Sequence, residues 1–166
     1  LRFRGGIRAP AGGAGDEHGA PRHDALWYNA TEKSRAEMVK RLRGLDFSAG
    51  LRDKFQYNNL MFLTAGYLVE QLTGKSWEDS VRERIFAPIG MTSSNFSVLD
   101  SQKAPDFAMP HGERDHKLQV IPFRNITNVG PAGSINSNVE DMAKWIVVHL
   151  NGGKVDGKPV VAKSTL

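Results

Sequence analysis

One stretch of the sequence, NNLMFLTAGYLVEQLTG at residues 58–74, limits the possible folds more than any other. An asparagine at position 58 or 59 can cap the start of a helix here, and Gly74 favours the left-handed turn that ends one. Because the apolar residues cover a wide arc of that helix, we expect deep burial and a fold built around it. The apolar positions are Leu60, Leu63, Ala65, Tyr67, Leu68, Val69 and Leu72.

Other segments also carry helix signals. Ser76 and Asp79 form a capping box before a helix that should end near Pro88 and Gly90. Ser137 and Glu140 form a second capping box, before a helix that stops at the asparagine and glycines of residues 151–153. A further helix, over about residues 34–43, is expected with Thr31 as its cap. The chain is therefore predicted to be rich in helices.

Strand signals are fewer. The segment HKLQVIPF at residues 116–123 is the best strand candidate, and Pro122 within it favours an edge position. Asp156-Gly157 is typical of a tight hairpin turn. Together these patterns predict a mostly α fold with a few short strands.

The N-terminal segment differs from the rest in texture. Residues 1–20 are dominated by Arg, Gly, Ala and Pro without helical or strand periodicity, so we interpret them as a disordered arm or one unrelated to the rest, for instance through a frameshift. Residues 21–166 then form a partial domain.

Composition excludes several function classes. The 166 residues contain no cysteine, so a disulfide framework, a thiol nucleophile and a thiolate metal site are excluded. The net charge is +4, but the basic residues alternate with acidic ones, which is typical of solvated helix faces and not of a nucleic-acid surface. No apolar run reaches the length of a membrane-spanning helix. Nucleic-acid binding and a membrane span are therefore not expected.

Tyr57 and Asn59, at the start of the central helix, are the candidate site residues. A tyrosine acts as a base only beside positive charge, such as a lysine, because its unperturbed pKa is about 10. If the preceding segment is extended, the Asn59 amide points the same way as Tyr57 and can contact both a lysine and a substrate carbonyl. The structural alternative is that Asn59 caps the helix while Tyr57 packs against its first turn. The spacing alone favours this structural interpretation.

Four ordered landmarks resemble the β-lactamase-related serine hydrolases, which include class C β-lactamases, D-alanyl-D-alanine carboxypeptidases and related esterases and peptidases. The resemblance runs from about Pro21 to Leu166. The landmarks are a Tyr-x-Asn motif at 57–59, a Thr-Gly-Lys turn at 73–75, Pro-Ile-Gly-Met-Thr at 88–92, and a Gly-rich loop with its following helix at 131–146.

The resemblance implies a covalent mechanism without a cofactor. In such enzymes a serine in a Ser-x-x-Lys motif attacks an amide or ester carbonyl, and a lysine and a tyrosine move its proton. By position, Tyr57 is the catalytic acid/base tyrosine and Asn59 the substrate-binding amide. The implied partner is a small-molecule or peptide acyl substrate.

The chain departs from that pattern at the nucleophile. None of its lysines has a serine three residues earlier, and no Lys-Thr-Gly or His-x-Gly motif follows. We therefore expect the helical part of an α/β β-lactamase/transpeptidase-like fold, truncated at both ends and inactive alone. The alternative is a non-catalytic helical binding module derived from the same scaffold.

Other candidate sites are weaker. His18 and His23, like His111 and His116, are five residues apart, which does not match a helical metal-ligand pair, so no metal site is predicted. His23-Asp24 resembles a base with its orienting acid, although adjacent side chains usually point apart. Ser137 is better used as a helix cap than as a nucleophile.

Overall fold

The structure is a computed structural model that describes residues 20, 22–28 and 32–166. The predicted arm, apart from Ala20, lies outside the described residues, and so does Thr31. The prediction that Thr31 caps the second helix is wrong, because Ser34 is the N-cap and its hydroxyl accepts from the Glu37 N–H at 3.2 Å. As predicted, the described chain is mostly helical with a few short strands. The helices are Ala25–Tyr28 (α1), Arg35–Arg41 (α2), Asn59–Thr73 (α3), Trp77–Val81 (α4), Ala87–Ile89 (α5), Val98–Ser101 (α6) and Val139–Leu150 (α7). The strands are His111–Arg114 (β1), Lys117–Val120 (β2), Lys154–Val155 (β3) and Lys158–Pro159 (β4).

The central helix α3 begins and ends as its sequence predicts. Asn58 is the N-cap, and its side-chain oxygen accepts hydrogen bonds from the backbone N–H groups of Leu60 (2.9 Å) and Met61 (3.3 Å). Gly74 ends the helix with φ of 70°. The apolar arc is covered only in part, because Leu72 stays 77% exposed.

A first core lies between α3, α2 and a 3₁₀ turn at Thr127–Ala132. Gly66 allows the turn to approach α3, because a Cβ there would lie 2.1 Å from Pro131 Cγ. The buried residues of this first core are Trp27, Met38, Val39, Leu42, Leu60, Leu63 and Val129.

A second core lies under α4, α5 and α7. The predicted helix after Ser76 is confirmed: the Ser76 hydroxyl accepts from the Asp79 N–H at 3.0 Å, and α4 continues through a π-helical segment, Arg82–Phe86, into α5. The rings of Phe86 and Phe96 stack with centroids 5.0 Å apart. The buried residues of this core are Phe86, Ile89, Met91, Phe96 and Val148.

One partly buried cation connects three helices. Arg35 of α2 forms ion pairs with Glu70 of α3 and Glu78 of α4 and also donates to the Thr127 carbonyl at 3.3 Å. Burial lowers the pKa of the Arg35 guanidinium, but the two glutamates outweigh that effect and raise it above its usual value. Arg35 therefore stays charged and fixes the three helices.

The cap predicted for α7 is wrong by one residue. Asn138, not Ser137, is the N-cap, and its side-chain oxygen accepts from the Asp141 N–H at 2.9 Å. Ser137 instead shares a hydrogen bond of 2.8 Å with Ser94, so a tertiary contact determines which of two suitable residues caps the helix.

The strands form two separate antiparallel hairpins. β1 pairs with β2 so that His111 lies opposite Val120, and the paired region stops before Pro122. In the second hairpin, Asp156 and Gly157 have φ of 48° and 77°, so the predicted Asp-Gly turn is confirmed.

Candidate active site at the start of α3

The phenol of Tyr57 is accessible, whereas the amide of Asn59 is largely enclosed. Tyr57 is 46% exposed, and Asn59 is 8% exposed as the first residue of α3. Because Asn59 is already helical, the side-chain alternation of an extended strand does not relate it to Tyr57. The alternative prediction, that Asn59 caps the helix, is wrong, because Asn58 is the N-cap.

Asn58 also holds a second segment of the chain. It is 1% exposed, and its side-chain nitrogen donates to the Ala20 carbonyl at 3.2 Å while its oxygen caps α3. One buried amide therefore fixes both the helix start and the chain that precedes α1. Sequence reasoning missed this contact, because no spacing rule connects Asn58 with Ala20.

A guanidinium lies over the phenol ring. The Cζ of Arg22 is 5.4 Å from the ring centroid of Tyr57, within the range of a cation–π contact. Arg22 pairs with Asp24, whose other oxygen accepts from Trp27 Nε1 at 3.0 Å. A cation that contacts the Tyr57 ring is thus an arginine, already paired with Asp24, which sequence analysis did not single out.

The sequence suggested that Asp24 orients His23 as a base. In the structure, Asp24 contacts other residues instead. Asp24 orients Arg22 and the Trp27 indole. His23 has φ of 42°, a conformation that is uncommon outside glycine and requires support from its surroundings.

The far end of the same segment is fixed as well. The Trp27 carbonyl accepts from the Asn128 side chain at 3.2 Å, and the Arg124 guanidinium lies 3.6 Å from the centroid of the Tyr28 ring. Residues 22–28 are therefore held at one end by the start of α3 and at the other by the segment around residues 124–128.

The start of α7 forms a second polar cluster with different chemistry. Asp141 is 1% exposed and accepts from the Ser93 N–H, the Ser94 hydroxyl and the Lys144 ammonium at 2.9 to 3.0 Å. Burial raises the pKa of the Asp141 carboxyl, but these hydrogen bonds outweigh it and hold the pKa below its usual value. A carboxylate so fully engaged stabilises the fold and is poorly suited to accept a proton.

Two further findings concern metal binding and membrane spanning. Within residues 20, 22–28 and 32–166, no group of three or more His, Asp or Glu side chains is arranged to hold a metal ion. In the same part of the chain, no helix combines the length and apolar character needed to cross a bilayer.

Comparison with known proteins identifies the family. The beta-lactamase family profile matches residues 7–165, a range that begins within the predicted arm. An unguisins hydrolase of Aspergillus campestris is 36% identical over 139 residues, which cover 80% of this chain and 26% of the fungal protein. Penicillin-binding protein 4 of Amycolatopsis lactamdurans is 28% identical over 113 residues, covering 66% and 29% of the two chains. This chain thus spans less than a third of the length of either relative.

Solved structures show the same fold. The octameric penicillin-binding protein homologue of Pyrococcus abyssi superposes with a TM-score of 0.79 over 99% of this chain and 39% of its own, at 21% identity. The D-amino acid amidase of Ochrobactrum anthropi SV3 superposes with a TM-score of 0.65 over 89% of this chain and 44% of its own, at 20% identity. The chain therefore belongs to the beta-lactamase family and has the helical part of the fold that these hydrolases and penicillin-binding proteins share.

Proposed function

We propose that this chain supplies the tyrosine side of the active site of a serine hydrolase that cleaves an amide or ester bond through an acyl-serine. The serine and lysine come from a part of the protein outside these 166 residues. The serine hydroxyl attacks the substrate carbonyl, its proton passes through lysine and Tyr57 to the leaving amine or alcohol, and water then releases the acid.

The accessible phenol of Tyr57 carries this proposal. Its hydroxyl can reach a substrate because the side chain is nearly half exposed, and the Arg22 guanidinium packs over its ring. The buried Asn58 fixes the backbone on both sides of this contact. Such fixed geometry is a requirement for efficient proton transfer.

Asn59 has a supporting role in the proposal. Its side chain lies one position into α3 and is largely enclosed. An amide in that place can accept a hydrogen bond from the lysine and donate one to the substrate carbonyl.

Amide bonds are the favoured substrate class. The relatives include an unguisins hydrolase and a penicillin-binding protein, and a structural neighbour is a D-amino acid amidase. We therefore assign a peptide or β-lactam amide as the substrate type, with esters as readily cleaved model compounds.

The test compares the 166-residue chain with the longer protein encoded by its gene. A fluorophosphonate probe should label the longer protein on serine and leave the chain unlabelled. Tyr57→Phe in the longer protein should lower the rate of p-nitrophenyl ester hydrolysis by about 10²- to 10⁴-fold, the usual contribution of a general acid–base. Tyr28→Phe is the matched control, because Tyr28 is 41% exposed and keeps its ring on Arg124.

The alternative is a non-catalytic helical binding module on the same scaffold. Absence of labelling in the longer protein, together with equal ester hydrolysis by the Tyr57→Phe variant, would favour that module and refute the proposed activity. Stable labelling of the 166-residue chain itself would instead place a nucleophile within this sequence.

A further inference from the structure

The loop that precedes α3, residues 48–56, is held by its own polar groups. The Ser48 hydroxyl donates to the side-chain oxygen of Gln56 at 2.7 Å and closes the loop. Inside the loop, the Gly50 N–H donates to an Asp53 carboxylate oxygen at 2.8 Å, and the Asp53 N–H donates to the Gly50 carbonyl at 3.3 Å. The loop therefore has one closing contact and one fixed turn within it.

The turn within this loop has a specific backbone conformation. Arg52 has φ of 68°, which is uncommon outside glycine and persists only where the surrounding structure supports it. A Cβ at Gly50 would lie 2.4 Å from Asp53 Oδ2, so glycine permits the close approach of that carboxylate. These features indicate a defined loop structure just before Tyr57.

The backbone beside Tyr57 depends on side-chain contacts for its position. Among the described residues, the backbone groups of Phe55, Gln56 and Tyr57 form no hydrogen bond with other backbone groups. The Gln56 side chain is held by Ser48, and its nitrogen is buried. On the other side of Tyr57, the Asn58 side chain caps α3. Tyr57 therefore lies between two residues whose side chains are fixed.

We propose that Ser48 is a positioning residue for Tyr57. By holding Gln56, it fixes the backbone on one side of the phenol, as Asn58 does on the other side. This role rests on the proposed function of Tyr57 in acyl transfer. A reacting group that is displaced by about 1 Å can lose up to about 10²-fold in rate. Because Ser48 is placed to act on proton transfer and not on substrate binding, it should contribute to kcat and not to KM.

The test measures p-nitrophenyl ester hydrolysis by the longer protein. Ser48→Ala removes the donor to Gln56 and should lower kcat by about 3- to 10-fold, the factor that corresponds to one hydrogen bond, while KM stays unchanged. Ser48→Thr keeps a hydroxyl and should restore kcat. Gln56→Met removes the acceptor at similar side-chain size and should lower kcat to the same extent as Ser48→Ala.

A double-mutant cycle with Tyr57 separates positioning from a general structural role. If Ser48 acts through the phenol, Ser48→Ala should slow the unmodified protein but not a protein that already carries Tyr57→Phe. A general loss of folded protein would slow both by the same factor.

Ser76→Ala is the matched control for stability. The Ser76 hydroxyl also donates at 2.7 Å, to Asp79, and it caps α4, so its removal should destabilise the fold at least as much as Ser48→Ala. Ser76 follows the other end of α3, whose 15 residues span about 22 Å. Ser76→Ala should therefore leave kcat unchanged.

Three results would overturn the positioning role alone. They are an unchanged kcat in Ser48→Ala, an equal effect of Ser48→Ala in the unmodified and Tyr57→Phe proteins, and a loss of kcat in Ser76→Ala as large as that in Ser48→Ala. A longer protein without ester hydrolysis, or with a rate that Tyr57→Phe leaves unchanged, would instead refute the proposed function and the positioning role with it. The two failures are therefore distinguishable.

Discussion

Two helices of this protein, α3 and α7, begin in the same way and end up with different surroundings. Each starts at an asparagine N-cap, Asn58 or Asn138, and each first turn is tied to a segment distant in sequence. At α3 the cap is buried and an accessible phenol precedes it. At α7 the cap is exposed, and the tie is made by Asp141, whose carboxylate is enclosed by donors.

The difference shows that the same capping signal can either position a candidate site or only stabilise the fold. The α7 cluster satisfies its own polar groups and presents no open acid, because Ser93, Ser94 and Lys144 engage Asp141. The α3 start fixes a backbone but leaves Tyr57 open, with a cation over its ring. We expect substitutions at α7 to change stability alone, and those at α3 to change the order of residues 22–28 as well.

The largest expected effect is at Asp141. Asp141→Ala leaves the Ser93 N–H and the Lys144 ammonium without their carboxylate and should lower the free energy of unfolding by about 3 kcal/mol. Urea denaturation followed by tryptophan fluorescence measures this change. A loss of less than about 1 kcal/mol would show that the cluster is solvated and not closed.

A matched pair of substitutions separates the two caps. Asp can replace Asn as a cap, so Asn138→Asp should change the free energy of unfolding by no more than about 0.5 kcal/mol. Asn58→Asp keeps the cap but removes the donor to the Ala20 carbonyl and buries a charge, and should cost about 2 kcal/mol. Equal effects of the two substitutions in urea denaturation would mean that the contact with Ala20 contributes nothing.

A smaller effect is expected when the exposed cap is deleted. Asn138→Ala removes the acceptor for the Asp141 N–H and should lower the free energy of unfolding by about 1 kcal/mol. The same urea titration measures it, with Ser137→Ala as a neighbouring variant that keeps the cap. A greater loss for Ser137→Ala would make the hydrogen bond between Ser137 and Ser94 the more important contact.

The smallest effect appears only in acid. Because the pKa of Asp141 is lowered in the folded state, its contribution is fully present above the pKa of an unfolded aspartate, about 3.9, and is lost as pH falls through the folded value. Asp141→Asn should therefore flatten the decline in stability below about pH 4. Urea denaturation at several pH values measures this decline. If the variant lost stability below about pH 4 as steeply as the unmodified chain, the lowered pKa would be contradicted.

The sequence predicts much of the fold because its signals are local. Gly74, the Ser76 cap and the Asp156-Gly157 turn each act within a few residues, and the structure confirms all three. Ser137 and Asn138 are both suited to cap α7, and the capping-box pattern predicted Ser137. Asn138 is the cap instead, because the Ser137 hydroxyl forms a hydrogen bond with the distant Ser94.

The candidate site could be predicted only in part. Tyr57 is found from its motif and from the resemblance, and its proposed role awaits the experiments described above. The contacts of Arg22 with Tyr57 and of Asn58 with Ala20 depend on tertiary packing, which no periodicity or spacing encodes. A sequence thus indicates which side chains are chemically suited to a site more readily than which neighbours position them.

Hydrogen–deuterium exchange of the Asn58→Asp and Asn138→Asp chains tests the central comparison most directly. The Leu26, Trp27 and Tyr28 amides donate to the His23 and Asp24 carbonyls and report on residues 22–28. We expect Asn58→Asp to speed exchange of these amides by about tenfold or more, in line with local destabilisation of over 1.4 kcal/mol, and Asn138→Asp to leave them unchanged. Unchanged exchange in Asn58→Asp would contradict the claim that the start of α3 holds the segment beside Tyr57.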